Sequence, residues 1–389
     1  MRKNIFVSIY VLINYFLCFI NLFYERKIFS YLNILIGLIA FAILLLAQLT
    51  SKKETFLPLA SFVFLAVLLL LMTTNILLVG NYTIGNVVGV VFSFCVLGFY
   101  LLKFEIHRFF CYLIFYSFVG LVVLVLVGII NVAEDSWEFF ASTSRNYVSF
   151  FLIYSMFPLC ISSSLRKETL PIIPLIITLV LSILAVGRGG IIMSAFLFLF
   201  SLFFTKTKNV SKKKKCLLFL IKISIVVAIV FIIIRQDILE EIAPRFFMSG
   251  NFEVKDTSRL KIWGTYFDNI NSFESFVFGY NSLASTGLKG QGNLHNSFLQ
   301  LHTNIGFFGL VLFILAISFS ACFLIKKKEF QLLVFLITIL FKGAVDLSFG
   351  FYYGDVIIVF IILYPFYPRF IVTKKECSVL KIVNYGKYS

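Results

Sequence analysis

Charged residues are scarce in this sequence. Asp, Glu, Lys and Arg make up 13% of the 389 residues, whereas hydrophobic residues make up 60%. Soluble domains carry about 25% charged residues, and the mean hydropathy of this chain is +1.01. These values exclude a soluble globular protein and indicate a helical membrane protein with many spans.

Residues typical of disulfide frameworks and metal sites are also few. None of the seven cysteines falls in a predicted outer segment, which argues against a disulfide framework. The chain has three histidines and neither a D-x-D nor an H-E-x-x-H pattern. We therefore expect no metal and no cofactor.

Twelve apolar segments are long enough, or nearly long enough, to cross a membrane, where a helix needs about 20 residues. They cover residues 5–23, 29–49, 56–79, 84–102, 110–130, 147–163, 170–186, 191–204, 216–234, 305–325, 330–349 and 356–371. We predict an all-α, polytopic protein of about 12 transmembrane helices, with residues 1–389 forming a single integral membrane domain.

The distribution of charge predicts the orientation. With the N-terminus inside, 22 of the 34 Lys and Arg residues lie in cytoplasmic segments, and 12 of the 18 Asp and Glu residues lie outside. Because cytoplasmic loops hold the excess of Lys and Arg, both termini are predicted to be cytoplasmic. The net charge of +16 then reflects topology and contact with anionic membrane lipid, and no nucleic acid is expected as a partner.

The seventh and eighth segments are unusually short and flank Gly187-Arg188-Gly189-Gly190. They have 17 and 14 residues and reach about 25 and about 21 Å, less than the bilayer core of about 30 Å. Arg188 is thus predicted to be a cation recessed below the outer surface, where an arginine marks an anion-binding site. The alternative is a hairpin tip whose arginine extends to the headgroups.

Residues 235–304 form the one long outer loop, of about 70 residues, between the ninth and tenth spans. Length concentrated in one loop suggests a function for it. Asp256-Thr257 predicts the start of a helix that carries Arg259 in its first turn. Its apolar stripe is predicted to lie on the membrane or against the bundle and consists of Leu260, Trp263, Phe267 and Ile270. An ordinary interfacial helix is the alternative interpretation.

Two of the three histidines lie near the start of the tenth span. His295 and His302 are seven residues apart, so they share one helical face. A histidine there can act as a base near neutral pH, although single histidines are more often structural. Together with Arg188 and Arg259, such a base suits transfer away from a pyrophosphate leaving group that arginine forks would hold.

An intramembrane ion pair is also predicted. Lys342 and Asp346 lie four residues apart within the span 330–349, on one helix face. The first interpretation is structural, with the pair fixing the helix in the bundle. Proton coupling is the alternative, and it belongs to a transporter hypothesis.

Three ordered patterns resemble the O-antigen ligase and O-antigen polymerase superfamily of membrane glycosyltransferases. They are Gly187-Arg188-Gly189-Gly190, then Arg259 with Trp263 in the large loop, and then His295-Asn296 followed by Gly306-Phe307-Phe308-Gly309-Leu310. The resemblance covers roughly residues 170–325 and implies a GT-C-like architecture. Gly187 and Asn304 depart from it, because the family often has serine and an acidic residue at these positions.

The resemblance implies roles for individual residues. Arg188 and Arg259 would hold the pyrophosphate of a polyprenyl-linked oligosaccharide donor, and His295 would activate the acceptor hydroxyl for an inverting attack. Lesser contacts to phosphate or sugar are expected from four further residues, namely Arg145, Arg245, Asn296 and His302.

Four functions remain open at this stage. The first is a polymerase of capsule, exopolysaccharide or O-antigen repeats at the outer face of the bacterial cytoplasmic membrane, with a flippase and a chain-length regulator as further partners. It is preferred because the Phe, Ile and Lys content suggests an AT-rich genome, which fits bacteria that lack lipid A. The others are an O-antigen ligase acting on a lipid A core, a flippase for lipid-linked oligosaccharide, and a scaffold for other assembly proteins.

Overall fold

The fold was analysed in a computed structural model of the chain. It describes residues 2–24, 27–50, 59–79, 88–130, 138–140, 143–185, 187–203, 257–279, 294–350 and 352–367. Within these ranges the chain is almost entirely helical, as the composition predicts, and the polytopic helical fold class is confirmed.

Helices account for nearly every predicted span. In chain order they are α1 (Arg2–Tyr24), α2 (Lys27–Thr50), α3 (Leu59–Leu78), a π-helix (Val90–Cys95) continuing into α4 (Val96–Lys103), α5 (Arg108–Leu126), α6 (Tyr147–Leu165), α7 (Ile172–Leu184), α8 (Arg188–Phe203), α9 (Thr257–Asp268), α10 (Phe273–Phe278), α11 (Ser297–Lys327), α12 (Phe330–Val345) and α13 (Asp355–Leu363). A short antiparallel pair, β1 (Glu138–Phe140) and β2 (Thr143–Ser144), precedes α6.

Among the described residues, six helices have the length and composition to cross a membrane, and further apolar helices are shorter. α7 and α8 have 13 and 16 residues, which confirms that the pair around Gly187 is short. The predicted ninth span, residues 216–234, lies outside the described residues. The eleventh ends earlier than predicted, at Val345, because Asp346 is extended with φ −163°.

α6 is the central helix of the bundle. Some 94% of its residues are buried within the protein, and α5, α7, α8 and α12 pack around it. α12 runs antiparallel to α6: the Tyr147 hydroxyl at the start of α6 reaches Asp346, and Ser164 near its end reaches Glu329. This packing defines the two ends of the bundle.

The two ends differ in chemistry. One end carries exposed ion pairs between predicted cytoplasmic connections, Arg108 with Glu168 at 2.8 Å and Arg166 with Glu105 at 3.3 Å. The other, named the His295 end below, holds Tyr147, Gly187, His295 and Asp346. The structure thus separates the connections as the alternation of predicted spans requires. Which side of the membrane each end faces stays a prediction from the charge pattern.

Candidate functional site

His295 lies immediately before α11, in a strained backbone conformation. Its φ of +48° is in the left-handed region, which is uncommon for residues other than glycine, though histidine is among the less disfavoured. The side chain is 33% exposed, and its Nδ1 lies 3.3 Å from Asp346 Oδ1. Strained residues with accessible side chains cluster at functional sites.

Asn296 and Ser297 fix His295 in place. The Asn296 carboxamide oxygen caps α11, accepting from the backbone N–H groups of Phe298 and Leu299 at 2.9 and 3.1 Å. Its Nδ2 donates to the Ala344 carbonyl at 3.0 Å. Both ends of this amide are therefore bound to protein, which favours a positioning role over the substrate contact predicted for Asn296. Ser297 Oγ accepts from the N–H of Ser348 at 2.8 Å.

The Asp346 carboxylate is buried and fully hydrogen-bonded. Lys342 Nζ donates to its Oδ2 at 2.7 Å, and Oδ1 accepts from the Tyr147 hydroxyl and the Leu347 N–H, both at 2.9 Å. Lys342 is 1% exposed and also lies 4.4 Å from the centre of the Tyr147 ring. Because each charge is compensated, the pair can remain ionised in an apolar bundle.

The predicted pair of Lys342 and Asp346 forms, but it does more than link two turns of α12. Asp346 ends that helix and turns its carboxylate toward His295. A carboxylate at Nδ1 orients an imidazole and selects the tautomer with the proton on Nδ1. The sequence suggested that this ion pair fixes α12 in the bundle. In the structure the pair also contacts the candidate base, His295.

α9 supports the segment that precedes His295. The Trp263 indole N–H donates to the Leu294 carbonyl at 2.9 Å, and Leu294 packs with Ile262 and Tyr266 in a small separate core. The buried face of α9 is thus displaced from the predicted stripe, because Phe267 is 59% exposed. The docking of α9 on the start of α11 decides which face is buried.

His302 belongs to a different cluster from His295. Its Nε2 lies 2.7 Å from the Phe276 carbonyl, and its Nδ1 is hydrogen-bonded to the Tyr266 hydroxyl. Burial raises the pKa of Tyr266 to about 12, so this hydroxyl keeps its proton and donates to Nδ1, while Nε2–H donates to the carbonyl. Both nitrogens are occupied by protein groups, which favours a structural role over the substrate contact predicted for His302.

A break in α11 separates the site from the membrane span. Gly306 has a φ of +69° inside the helix, and a Cβ there would lie 2.3 Å from the Val277 carbonyl of α10. Asn75 on α3 donates to the carbonyls of Phe278 and Thr303, both at 2.9 Å. The start predicted for the tenth span at Ile305 coincides with this break, and the preceding turns of α11 carry the site.

The hairpin of α7 and α8 meets the start of α6 at Gly187. A Cβ at Gly187 would lie 2.7 Å from the Arg145 carbonyl and 2.9 Å from Asn146 Cα. Gly187, the residue before Arg188, therefore packs against the backbone of Arg145. Arg145 lies two residues before Tyr147, the first residue of α6. Arg145 is 9% exposed, and burial lowers the pKa of its guanidinium, which nevertheless stays charged at neutral pH.

Gly187→Ser is expected to destabilise this protein, although the resembling family often has serine here. The new Cβ would meet backbone atoms that cannot rotate away, so the hairpin tip must move, at a cost of roughly 1–3 kcal/mol. Thermal unfolding of the detergent-purified variant measures the loss. Gly189→Ser is the matched control, because the nearest atom to its Cβ, Asn146 Oδ1, lies 3.9 Å away. Equal stability of the two variants would contradict the steric argument.

The other predicted arginines are only partly described. The backbone of Arg188 begins α8, and that of Arg259 lies in the first turn of α9, one turn before Trp263. The side chains of both arginines lie outside the described part of the chain. Arg245 lies wholly outside it, so its predicted contact stays a prediction.

The comparison with known families gives a match over the part of the chain that carries these motifs. Residues 173–314 match the family model Wzy_C, O-antigen ligase. This finding confirms the resemblance to the O-antigen ligase and polymerase superfamily. No curated protein and no solved structure matches the chain.

The Wzy_C match supports an O-antigen ligase-like or polymerase-like function, and members of that family are glycosyltransferase-like enzymes. With the apolar helices, the match indicates a membrane protein. The matched range contains Gly187, Arg188, Arg259 and His295. Asp346, whose Oδ1 lies 3.3 Å from His295 Nδ1, lies beyond it.

Within the Wzy_C range, Asn304 replaces the acidic residue frequent in the family. Its Nδ2 donates to the Gly350 carbonyl at 3.2 Å, and its Oδ1 accepts from Gln300 Nε2 at 3.1 Å. An ionised carboxylate has no proton to donate to Gly350. In this chain the amide therefore ties the loop after Asp346 to α11.

Three site residues beyond the Wzy_C motifs were not assigned to the site from the sequence. The sequence indicates Asp346 only as a partner of Lys342, and it indicates no role for Tyr147 or Tyr266. Tyr147 and Asp346 are 199 residues apart, so spacing carries no sign of their contact. The available signal was Asp346 itself, since a carboxylate inside an apolar segment is by default a functional candidate.

Proposed function

We propose that this protein is a polysaccharide repeat-unit polymerase, an inverting glycosyltransferase at the outer face of the bacterial cytoplasmic membrane. Its donor and acceptor are polyprenyl-pyrophosphate-linked oligosaccharides. The observation that carries the proposal is the pairing of accessible His295 with buried Asp346, at the end of the bundle where Arg145 contacts the residue before Arg188. A base and cations there suit attack on a sugar that leaves pyrophosphate.

His295 acts as the general base in this proposal. With the Nδ1 proton directed to Asp346, the Nε2 lone pair accepts the proton of the acceptor hydroxyl. The acceptor oxygen forms the new bond to the anomeric carbon as the bond from that carbon to the phosphate oxygen breaks. Attack from the opposite face inverts the anomeric configuration, and polyprenyl pyrophosphate leaves with the bonding electrons.

Arg188 and Arg259 stabilise the leaving pyrophosphate. Each guanidinium offers two parallel N–H donors to phosphate oxygens, and the attraction grows as charge develops on the leaving group. Their segments are each supported by a neighbouring part of the protein, since Gly187 packs on Arg145 and Trp263 donates to the Leu294 carbonyl. Arg145 and Arg245 are proposed as further contacts to phosphate or sugar.

Ligation to a lipid A core is the second candidate, because the family model is that of O-antigen ligases. Both reactions use the same donor and the same base, and they differ in the acceptor. The polymerase is preferred because the composition suggests an AT-rich genome, which fits bacteria that lack lipid A. A flippase and a chain-length regulator are its proposed protein partners.

The test is chain extension by the purified protein in detergent. The substrate is the lipid-linked repeat that accumulates in a strain of the source bacterium lacking this protein. Wild type should lengthen the repeat. Arg188→Lys and Arg259→Lys should each lower the rate by about 10²-fold, since a lysine keeps the charge and loses the paired donors.

Arg108→Lys is the matched control, because Arg108 forms an exposed ion pair at the opposite end of the bundle and should leave the rate unchanged. A wild type that extends nothing, yet transfers the repeat to a lipid A core, establishes the ligase instead. If wild type extends nothing and only moves the lipid-linked repeat across the membrane of sealed vesicles, the protein is a transporter. Full activity of both arginine variants overturns the pyrophosphate assignment.

A further inference from the structure

A cavity of about 340 Å³, with polar and apolar side chains in its wall, is lined in part by segments adjoining His295 and Asp346. Its walls are the C-terminal part of α1, the N-terminal part of α2, the π-helix, the first turns of α11 and the loop after Asp346. All of these belong to the His295 end of the bundle. Its volume falls within the range of small-molecule sites, about 300–1,000 Å³.

The polar part of this cavity's lining consists of amides and hydroxyls. Its polar side chains, apart from Tyr353, are Asn21, Ser30, Asn33, Ser93, Gln300 and Asn304. The described residues that line it include no Asp, Glu, Lys, Arg or His. A carboxamide offers two donors and one acceptor oxygen, which suit neighbouring hydroxyl groups and provide no charge for a phosphate. The Asn304 amide is already bonded within the protein at both ends.

One wall residue has unused hydrogen-bonding capacity. Asn33 is 7% exposed, and its Oδ1 accepts no hydrogen bond from the described residues. Its Nδ2 is directed to Cys18 Sγ at 3.8 Å, a weak acceptor. Buried polar atoms in native proteins nearly always have partners. The Asn33 Oδ1 is covered in this structure, and a small rotation of the amide would bring it to a hydroxyl donor in the cavity.

The π-helix gives the wall beside Asn33 an unusual backbone. Residues Val90–Cys95 form this helix, and Val90, Ser93 and Phe94 line the cavity. Such π-helical insertions are rare and frequently occur at functional sites. A second cavity, of about 290 Å³, shares Val90 and Gly350 with the first but is almost wholly apolar. The polar side chains therefore distinguish the first cavity from this apolar neighbour.

The cavity and the candidate base are built from the same two segments. Gln300 and Asn304 lie on α11, which begins two residues after His295, and Leu347 directly follows Asp346. Asn304 joins the two segments through Gly350. A sugar held in this cavity therefore contacts the two segments that also carry His295 and Asp346.

We infer that the cavity binds an uncharged, hydroxyl-rich sugar unit of the acceptor, the unit whose hydroxyl His295 deprotonates. The inference rests on the proposed function, because it assigns the acceptor of the proposed reaction to this cavity. The acceptor sugar enters between α1, α2 and the π-helix, while the donor pyrophosphate lies toward Arg188 and Arg259. The cavity therefore contributes to selecting the acceptor sugar.

Asn33→Leu tests the inference, since leucine keeps the volume and removes the hydrogen bonds. The assay supplies a lipid-linked repeat methylated on its attacking hydroxyl, which can serve only as donor, and varies an unmethylated acceptor repeat. The variant should raise the acceptor KM about tenfold, the effect of one or two lost hydrogen bonds. The donor KM should stay within about twofold, as for any residue outside the pyrophosphate site.

Asn14→Leu is the matched control. Asn14 is also buried, its Oδ1 also lacks a partner among the described residues, and it does not line the cavity. An independent readout uses the free repeat oligosaccharide carrying a diazirine, which should label peptides from residues 17–34 in wild type and not in Asn33→Leu.

The outcomes separate the two proposals. An unchanged acceptor KM in Asn33→Leu, with wild type active, overturns the cavity assignment and leaves the polymerase standing. A wild type that extends no matched repeat overturns the polymerase, whatever the variant does. Should Asn33→Leu fail to fold, the smaller change Ser93→Val makes the same test at another wall residue, with the same expected rise in acceptor KM.

Discussion

Replacing His295 with asparagine is expected to lower the rate of chain extension by about 10²–10⁴-fold, the usual contribution of a general base. The KM values for donor and acceptor should change little, because the imidazole acts on a proton in the transition state. Steady-state extension by the purified variant, with methylated and unmethylated lipid-linked repeats, measures both quantities.

Asparagine is the informative substitution because of the backbone at this position. His295 has a φ of +48°, a conformation that asparagine accepts more readily than most residues do. The variant should therefore fold as wild type does, and its loss of activity can be assigned to the imidazole. Glycine also tolerates this backbone, so His295→Gly leaves a space in which added imidazole should restore part of the rate.

The control is His107→Asn. His107 caps α5 by accepting from the Phe109 N–H, and asparagine is a good cap residue. His107 lies at the opposite end of the bundle, so its variant should extend chains at the wild-type rate. If His295→Asn retains full activity while wild type depends on Arg188, the base must be another group.

How much of the molecule the sequence predicts depends on the physical range of each signal. Span positions follow from local hydropathy, and eight of the twelve predicted spans begin within a described helix. The short pair around Gly187 and the start of a span at Ile305 depend on glycine, whose effects are also local. These features could be predicted because each is encoded within about 20 neighbouring residues.

The site could be predicted only in part, because its decisive contacts are distant in sequence. Hydropathy does not indicate how a helix is rotated about its axis. It therefore could not show that Tyr147 faces Asp346, or that α9 buries Tyr266 and exposes Phe267. The order of motifs led to His295 and the arginines. The carboxylate beside His295 became evident only when α12 was placed against α6 and α11.

The second large effect is expected at the ion pair itself. Asp346→Asn leaves the ammonium of Lys342, which is 1% exposed, without its carboxylate. Breaking a buried pair from one side costs roughly 3–5 kcal/mol, so this variant should be poorly folded. The double variant Lys342→Met with Asp346→Asn removes both charges, and its thermal stability in detergent should return most of the way to that of wild type.

Activity of the folded double variant distinguishes the interpretations of the pair. If Asp346 orients His295, the double variant should stay at least about 10²-fold slower than wild type, because an asparagine that donates to Nδ1 favours the wrong tautomer. If the pair only fixes α12, the double variant should be folded and active.

Proton coupling makes a third prediction, namely that wild-type activity in sealed vesicles collapses when an ionophore dissipates the proton gradient. In detergent no proton gradient exists. If wild type extends repeats there while the folded double variant does not, that combination of results fits only the interpretation in which Asp346 orients His295. The contact between His295 and Asp346 then explains why a charged pair is retained in a bundle otherwise built from apolar helices.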